Sequence, residues 1–316
     1  MHFIRLISCI GAFLGLAMSG ATAVAQVSLV PQAAARCTSS ECSRFDAIVF
    51  VHGIYGDDET YRNDRFDWPT ELAADLPRTD VYRLNYRSNL ITWSKSANPR
   101  LEELADGFMA ALKPLRTRQY RSIGFIAHSL GGNLVATYIH LVSSRYSHPH
   151  RSQNAYVITL ATPVLGSQVA DMGTRLKTIL GMPVDDSLTS LAADNQFARM
   201  MVTFRVADAA KSEDLDCRRV HLHAGYEQEY LGPLLIVTEA SAAKSIAQLA
   251  DSPIVGFPRD HSQIAKPSSK RDPVYVWVAD RLEAENARLD EWDRTHPDVL
   301  SPRRMCGRMD AIPERP

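Results

Sequence analysis

Residues 127–132, Ala-His-Ser-Leu-Gly-Gly, follow one apolar run and open an amphipathic one. That order makes a strand, a tight turn and a helix, with Ser129 at the apex. Such an elbow strains its central residue, so the positions two before and two after it must be small. They are Ala127 and Gly131, giving A-x-S-x-G where glycine is commoner at the first place. The turn would lift the Ser129 hydroxyl above the sheet edge at a helix N-terminus, which favours negative charge. Nucleophilic attack on a carbonyl carbon suits this arrangement; a plain capping serine is the competing reading. A second segment, Val51-His52-Gly53-Ile54-Tyr55-Gly56-Asp57, favours the nucleophile, because its glycines let a loop approach a substrate closely. The oxyanion of a tetrahedral intermediate needs two backbone N–H donors. Leu130 is expected to supply one, and Ile54 or Tyr55 the other. His52 is expected to make structural hydrogen bonds.

A serine also needs a base, and on such an elbow the acid and then the histidine follow it along the chain. His261, in Arg259-Asp260-His261-Ser262-Gln263-Ile264, lies on a loop between the last apolar run and the final helix. His128 is locked beside the serine, His221 and His223 fall inside a strand, and His296 lies beyond the closing helix. His261 is therefore the expected base. The acid is expected to be Glu227, at the end of the strand that starts near Val220. Glu239, in Thr238-Glu239-Ala240, is the alternative. Either carboxylate could fix the imidazole tautomer and stabilise the imidazolium.

The elements that must hold these groups alternate between short apolar runs and helical patterns, which predicts a mostly parallel sheet with helices on both faces. Strands are expected at 47–51, 81–86, 122–127, 156–160, 220–224 and 234–237. Helices are expected after Asp67-Trp68-Pro69, over the stripe Leu101, Leu104, Ala105, Phe108 and Leu112, at 132–143, and from Val274 onward. Residues 165–210 read as a helical insertion, with Phe197, Met200, Met201 and Phe204 on one face. That stripe either packs on the sheet or forms a lid or a wall of an acyl pocket.

The 316 residues carry a formal net charge of −1, with both signs interspersed. There is no basic stripe for nucleic acid. Residues 1–25 have a short basic start, an apolar run and Ala23-Val24-Ala25, the layout of a cleavable secretory signal. Export to the periplasm or beyond is expected. Residues 26–44 read as a linker, 45–295 as one domain, and 296–316 as a tail. Cys37, Cys42, Cys217 and Cys306 would remain after cleavage, enough for one or two disulfides in any of three pairings. No C-x-x-C pair or His-rich spacing supports a metal, so neither metal nor organic cofactor is expected.

Taken together these motifs resemble a group of α/β-hydrolases that includes the serine-active-site-containing protein and the lipases and esterases like GPI inositol-deacylase. The resemblance runs over roughly residues 46–282. It rests on V-H-G-I-Y-G-D at 51–57, Asp67-Trp68-Pro69, A-H-S-L-G-G at 127–132, Thr162-Pro163 with Gly166-Ser167, and Tyr226-Glu227. Most specific is D-H-S-Q-I-A-K-P at 260–267. The resemblance implies the α/β-hydrolase fold and an esterase- or lipase-type activity through Ser129, His261 and Glu227. A small-molecule or lipid ester substrate is expected, with membrane-surface contact left open. Acyl transfer, amide cleavage, and a non-catalytic binding role on the same fold are the alternatives.

Overall fold

The computed structural model describes residues 27–33, 46–53, 56–57, 59–86, 101–117, 120–145, 154–164, 220–244 and 246–295. The expected signal, the four cysteines, the insertion at 165–210, Ile54, Tyr55, Gly166, Ser167, His296 and the tail lie outside them.

Seven strands form the main sheet in the order β1-β5-β2-β6-β7-β8-β9. They are β1 (Val27–Ala33), β2 (Asp46–Val51), β5 (Thr79–Tyr86), β6 (Ser122–His128), β7 (Asn154–Leu160), β8 (His221–Glu227) and β9 (Val255–Phe257). A two-stranded ribbon, β3 (Arg62–Asn63) and β4 (Phe66–Asp67), stands apart from them. Every neighbour pair in the main sheet is parallel except β1 with β5. The helices are α1 (Trp68–Asp75), α2 (Leu101–Ala111), α3 (Lys113–Thr117), α4 (Leu130–Arg145) and α5 (Pro273–Thr295). Asp67 caps α1 by accepting from the Thr70 N–H at 3.1 Å, and Pro69 takes a first-turn position whose N–H would have no partner anyway.

Alternation along the strands divides the core in two. Ala47, Val49 and Val51 face Phe108 of α2, Leu112 just after it, and Leu134, Val135 and Tyr138 of α4. Ile48 and Phe50 face Trp68 and Leu72 of α1 and Tyr275, Val278 and Leu282 of α5. Beneath both layers Arg121, whose side chain is buried, pairs with Asp46 and reaches Asp290 of α5. A buried ion pair of this kind fixes geometry more than it stabilises.

Two expectations are corrected. Residues 27–33 were expected to lie in a linker; they form β1, with Val27 and Leu29 packed on the core. Pro31 hides the strand from sequence, yet it is tolerated because β1 is an edge and its ladder shifts at Pro31/Ala33. The apolar run 234–237 was expected to be the last strand, and it is not one. Leu231 and Leu234 close a turn through Gly232, whose φ is 61°. The N–H groups of Ile236 and Val237 both point to the Glu227 carboxylate, so no strand can use them. The last strand is β9, three residues between Pro253 and Pro258.

Candidate active site

The chain visits β2, crosses to β5 on one side, and returns to β6 on the other. Ligand crevices of open α/β sheets lie outside the carboxyl ends of strands near such a reversal. Ser129 stands there, between β6 and α4, with φ 53°. A non-glycine residue in that left-handed region is held by its surroundings. The Ser129 N–H donates to Leu160 O at the end of β7 (2.9 Å), and its carbonyl accepts from Gly132 N (3.1 Å). The small residues around the elbow are explained by contact. A Cβ on Gly131 would stand 2.3 Å from Val51 O, and one on Gly132 would stand 2.3 Å from Thr162 Oγ1.

His261 follows β9 on a loop pinned at both ends. Asp260 Oδ1 accepts from the N–H groups of Ser262 (2.8 Å) and Gln263 (2.9 Å). Asp272 Oδ2 accepts from Arg259 (2.9 Å) and from the Ser268 N–H (3.0 Å). The imidazole is thereby brought to the elbow, with Nε2 2.9 Å from Ser129 Oγ and Nδ1 2.5 Å from Glu227 Oε2. Its Nδ1–H donates to the carboxylate, which leaves the Nε2 lone pair facing the hydroxyl. Glu227 is the last residue of β8, and its side chain is 0 % exposed. Its other oxygen accepts from the N–H groups of Ile236 and Val237, each at 2.8 Å. Glu239 is exposed and makes no part of this chain of hydrogen bonds. Residues 129, 261 and 227 thus meet.

The loop after β2 closes the other side. Gly53 abuts the elbow: a Cβ there would stand 2.6 Å from Ser129 Cβ and 3.1 Å from its Oγ. His52 Nδ1 lies 2.9 Å from Gly53 O, and its ring stacks on Tyr86 with centroids 4.2 Å apart. The Tyr86 hydroxyl donates to His52 O, and that of Tyr61 to Val51 O (2.7 Å). Burial raises both phenols above their ordinary pKa, so they remain donors. Ile54 and Tyr55, the expected second oxyanion donors, lie outside the described residues. Leu130 begins α4, and the first N–H groups of a helix have no acceptor within it.

Sequence reasoning gave His128 no task. Its Nε2 is 2.7 Å from His261 O, so it ties the elbow to the histidine loop. Burial first, then the neighbouring His261, push it well below the ordinary 6.5, so the ring is a neutral donor. The Ile236 and Val237 donors were also missed, since nothing in an apolar run signals two N–H groups aimed at a carboxylate.

The mostly parallel sheet with helices on both faces is the α/β-hydrolase fold. Residues 44–197 match the family described as "Putative serine esterase (DUF676)". Among solved structures, the mature lipase BlEst2 of Bacillus licheniformis is 19% identical, with a TM-score of 0.51 over 79% of this chain and 97% of that one. Mouse alpha/beta hydrolase domain-containing protein 10 is 11% identical, with a TM-score of 0.51 over 85% and 96%. Est1E from Butyrivibrio proteoclasticus is 12% identical, with a TM-score of 0.50 over 83% and 94%. At these identities the likeness is one of fold. No curated protein matches the sequence.

Proposed function

We propose that the chain is a serine hydrolase of carboxylic esters, with Ser129 as nucleophile, His261 as general base and acid, and Glu227 as the acid that orients it. The observation that carries this reading is the unbroken hydrogen-bonded chain from Ser129 Oγ through His261 to Glu227. Ser129 Oγ bonds to the acyl carbon while its proton passes to Nε2. The N–H of Leu130 and one from the 54–55 loop receive the oxyanion. The carbon–oxygen bond to the alcohol then breaks, and the alcohol leaves with the proton from Nε2. Water, deprotonated by the same nitrogen, attacks the acyl-enzyme, and Ser129 is released with its proton restored. The apolar residues Leu176, Ile179, Leu180 and Met182 support esters of apolar acids as the substrate class.

Labelling with a fluorophosphonate probe, followed by peptide mass spectrometry, tests the mechanism. The expected result is a single adduct on Ser129 that is lost in His261→Ala. A folded wild type that stays unlabelled overturns the reading. A series of p-nitrophenyl esters tests the substrate class, and equal turnover at all chain lengths would sink it.

A further inference from the structure

At the end of β8 remote from Glu227 stands a second histidine–carboxylate group. His221 and His223 are two residues apart on the strand, so both rings project from the same face. There they meet Glu285 of α5. Glu285 Oε1 lies 2.8 Å from His221 Nδ1 and 3.0 Å from His223 Nε2. The three ligand atoms fall within 4.8 Å of one another, the one such group among the described residues. His223 and Glu285 are buried, at 4% and 3% exposure. The chemistry at Ser129 uses none of them.

Two imidazoles and a carboxylate converging in a buried place can be held by protons or by a cation. Tetrahedral zinc at about 2.0–2.1 Å from each ligand keeps its ligands about 3.3–3.4 Å apart. The two oxygen–nitrogen pairs lie within about half an ångström of that spacing, and with all three ligand atoms inside 4.8 Å of one another, closing on an ion draws the two ring nitrogens together. Its surroundings are those of a metal's outer shell. His223 Nδ1 lies 2.9 Å from Ser252 Oγ, the partner that fixes a ring whose other nitrogen is given to a metal. Arg288 donates to Glu285 Oε2 through Nε and Nη2, both at 2.9 Å, which orients Oε1 toward the histidines. Asp251 Oδ2 accepts from the N–H of Leu222, between the two histidines, at 2.8 Å.

We propose that His221, His223 and Glu285 bind a divalent transition-metal ion of the zinc class through two nitrogens and one carboxylate oxygen, with water as the fourth ligand. The sequence reading assigned no metal, because H-x-H inside a strand passes for core until α5 brings the carboxylate. The site stands at the opposite end of the seven-residue β8 from Glu227, about 20 Å along the strand. Its role is to clamp α5 to the sheet, apart from ester chemistry.

The test is titration of the chelator-stripped full chain with Zn²⁺ by calorimetry, and with Co²⁺ by visible absorption. Expected are one high-affinity equivalent, tetrahedral Co²⁺ bands, a higher Tm, and the same result in Ser129→Ala. His221→Asn and His223→Gln place an amide N–H where each ring nitrogen faces Glu285 but lose the ligand. Each should weaken binding at least 100-fold and erase the bands. Ser252→Ala keeps the trio intact, folds even if those variants do not, and should weaken binding about tenfold. A folded wild type without saturable binding overturns the proposal. So does undiminished binding in both histidine variants, or in Ser252→Ala, which would place the metal elsewhere.

Discussion

At one end of β8 the Glu227 carboxylate faces His261 at 2.5 Å; at the other, two histidines of the strand itself face Glu285 at 2.8 and 3.0 Å. Both carboxylates are buried, and both put one oxygen on imidazole. They differ in what holds the second oxygen. Glu227 is held by two neutral backbone N–H groups, which orient it and leave its charge for the histidine. Glu285 is held by the Arg288 guanidinium, which neutralises it. The third members differ as well: a hydroxyl on a left-handed backbone at one end, and a second imidazole in regular strand at the other. A histidine–carboxylate pair therefore has no fixed meaning. On the two readings proposed above, the partner of the carboxylate's far oxygen, and the group on the far side of the ring, distinguish a pair that moves protons from one that holds a cation.

This contrast can be broken or sharpened by substitution. Glu227→Gln keeps the two backbone hydrogen bonds and removes the charge, so kcat/KM for ester hydrolysis should fall about 10³–10⁴-fold. A loss under tenfold would make the charge irrelevant and end the comparison. Gly53→Ala puts a methyl 2.6 Å from Ser129 Cβ. It should cost about 10–100-fold in kcat with the circular dichroism spectrum unchanged, since small displacements of the nucleophile are expensive.

The remaining effects are on stability. Glu285 titrates lower when folded than its ordinary 4.5, so its contribution is complete above that value and is lost as pH falls below it. Denaturant titrations below pH 4.5 should show the wild type losing stability more steeply than Glu285→Gln, by up to about 1.4 kcal/mol per pH unit. His128 is likewise depressed, from 6.5, because the folded chain buries it neutral while the unfolded chain protonates it. Between pH 6.5 and 5 the wild type should lose up to about 1.4 kcal/mol per unit that His128→Gln does not. Smallest of all, Glu239→Gln should leave hydrolysis within about twofold, and a larger loss would reopen the choice of acid.

The parts of the site that could be read in the sequence were those with local signatures. Ser129 announces itself because a strained elbow demands small residues at fixed offsets. His261 announces itself through its place after the last strand. Glu227 could be set above Glu239 only by position. Burial and two backbone donors now separate them, and both depend on where residues 236–237 return in space. The buried parallel strands were equally plain, because a run such as 47–51 is apolar on both faces. The two edge strands were not. β1 contains Pro31, β9 is three residues long, and their identity as strands comes from partners far along the chain. The run 234–237 misled for the same reason: its apolar side chains form a small buried cluster, while its N–H groups serve a carboxylate.

Those two edges also bear on how the molecule behaves in a crowd. An open sheet offers unpaired N–H and C=O groups at each margin, a template for strand addition by another chain. Here one margin is interrupted by a proline and a register shift, and the other is too short to seed a ladder, with Pro258 immediately after it. Edge-to-edge polymerisation is thereby disfavoured at both borders of the sheet, which keeps a largely apolar seven-stranded scaffold from acting as a nucleus for aggregation.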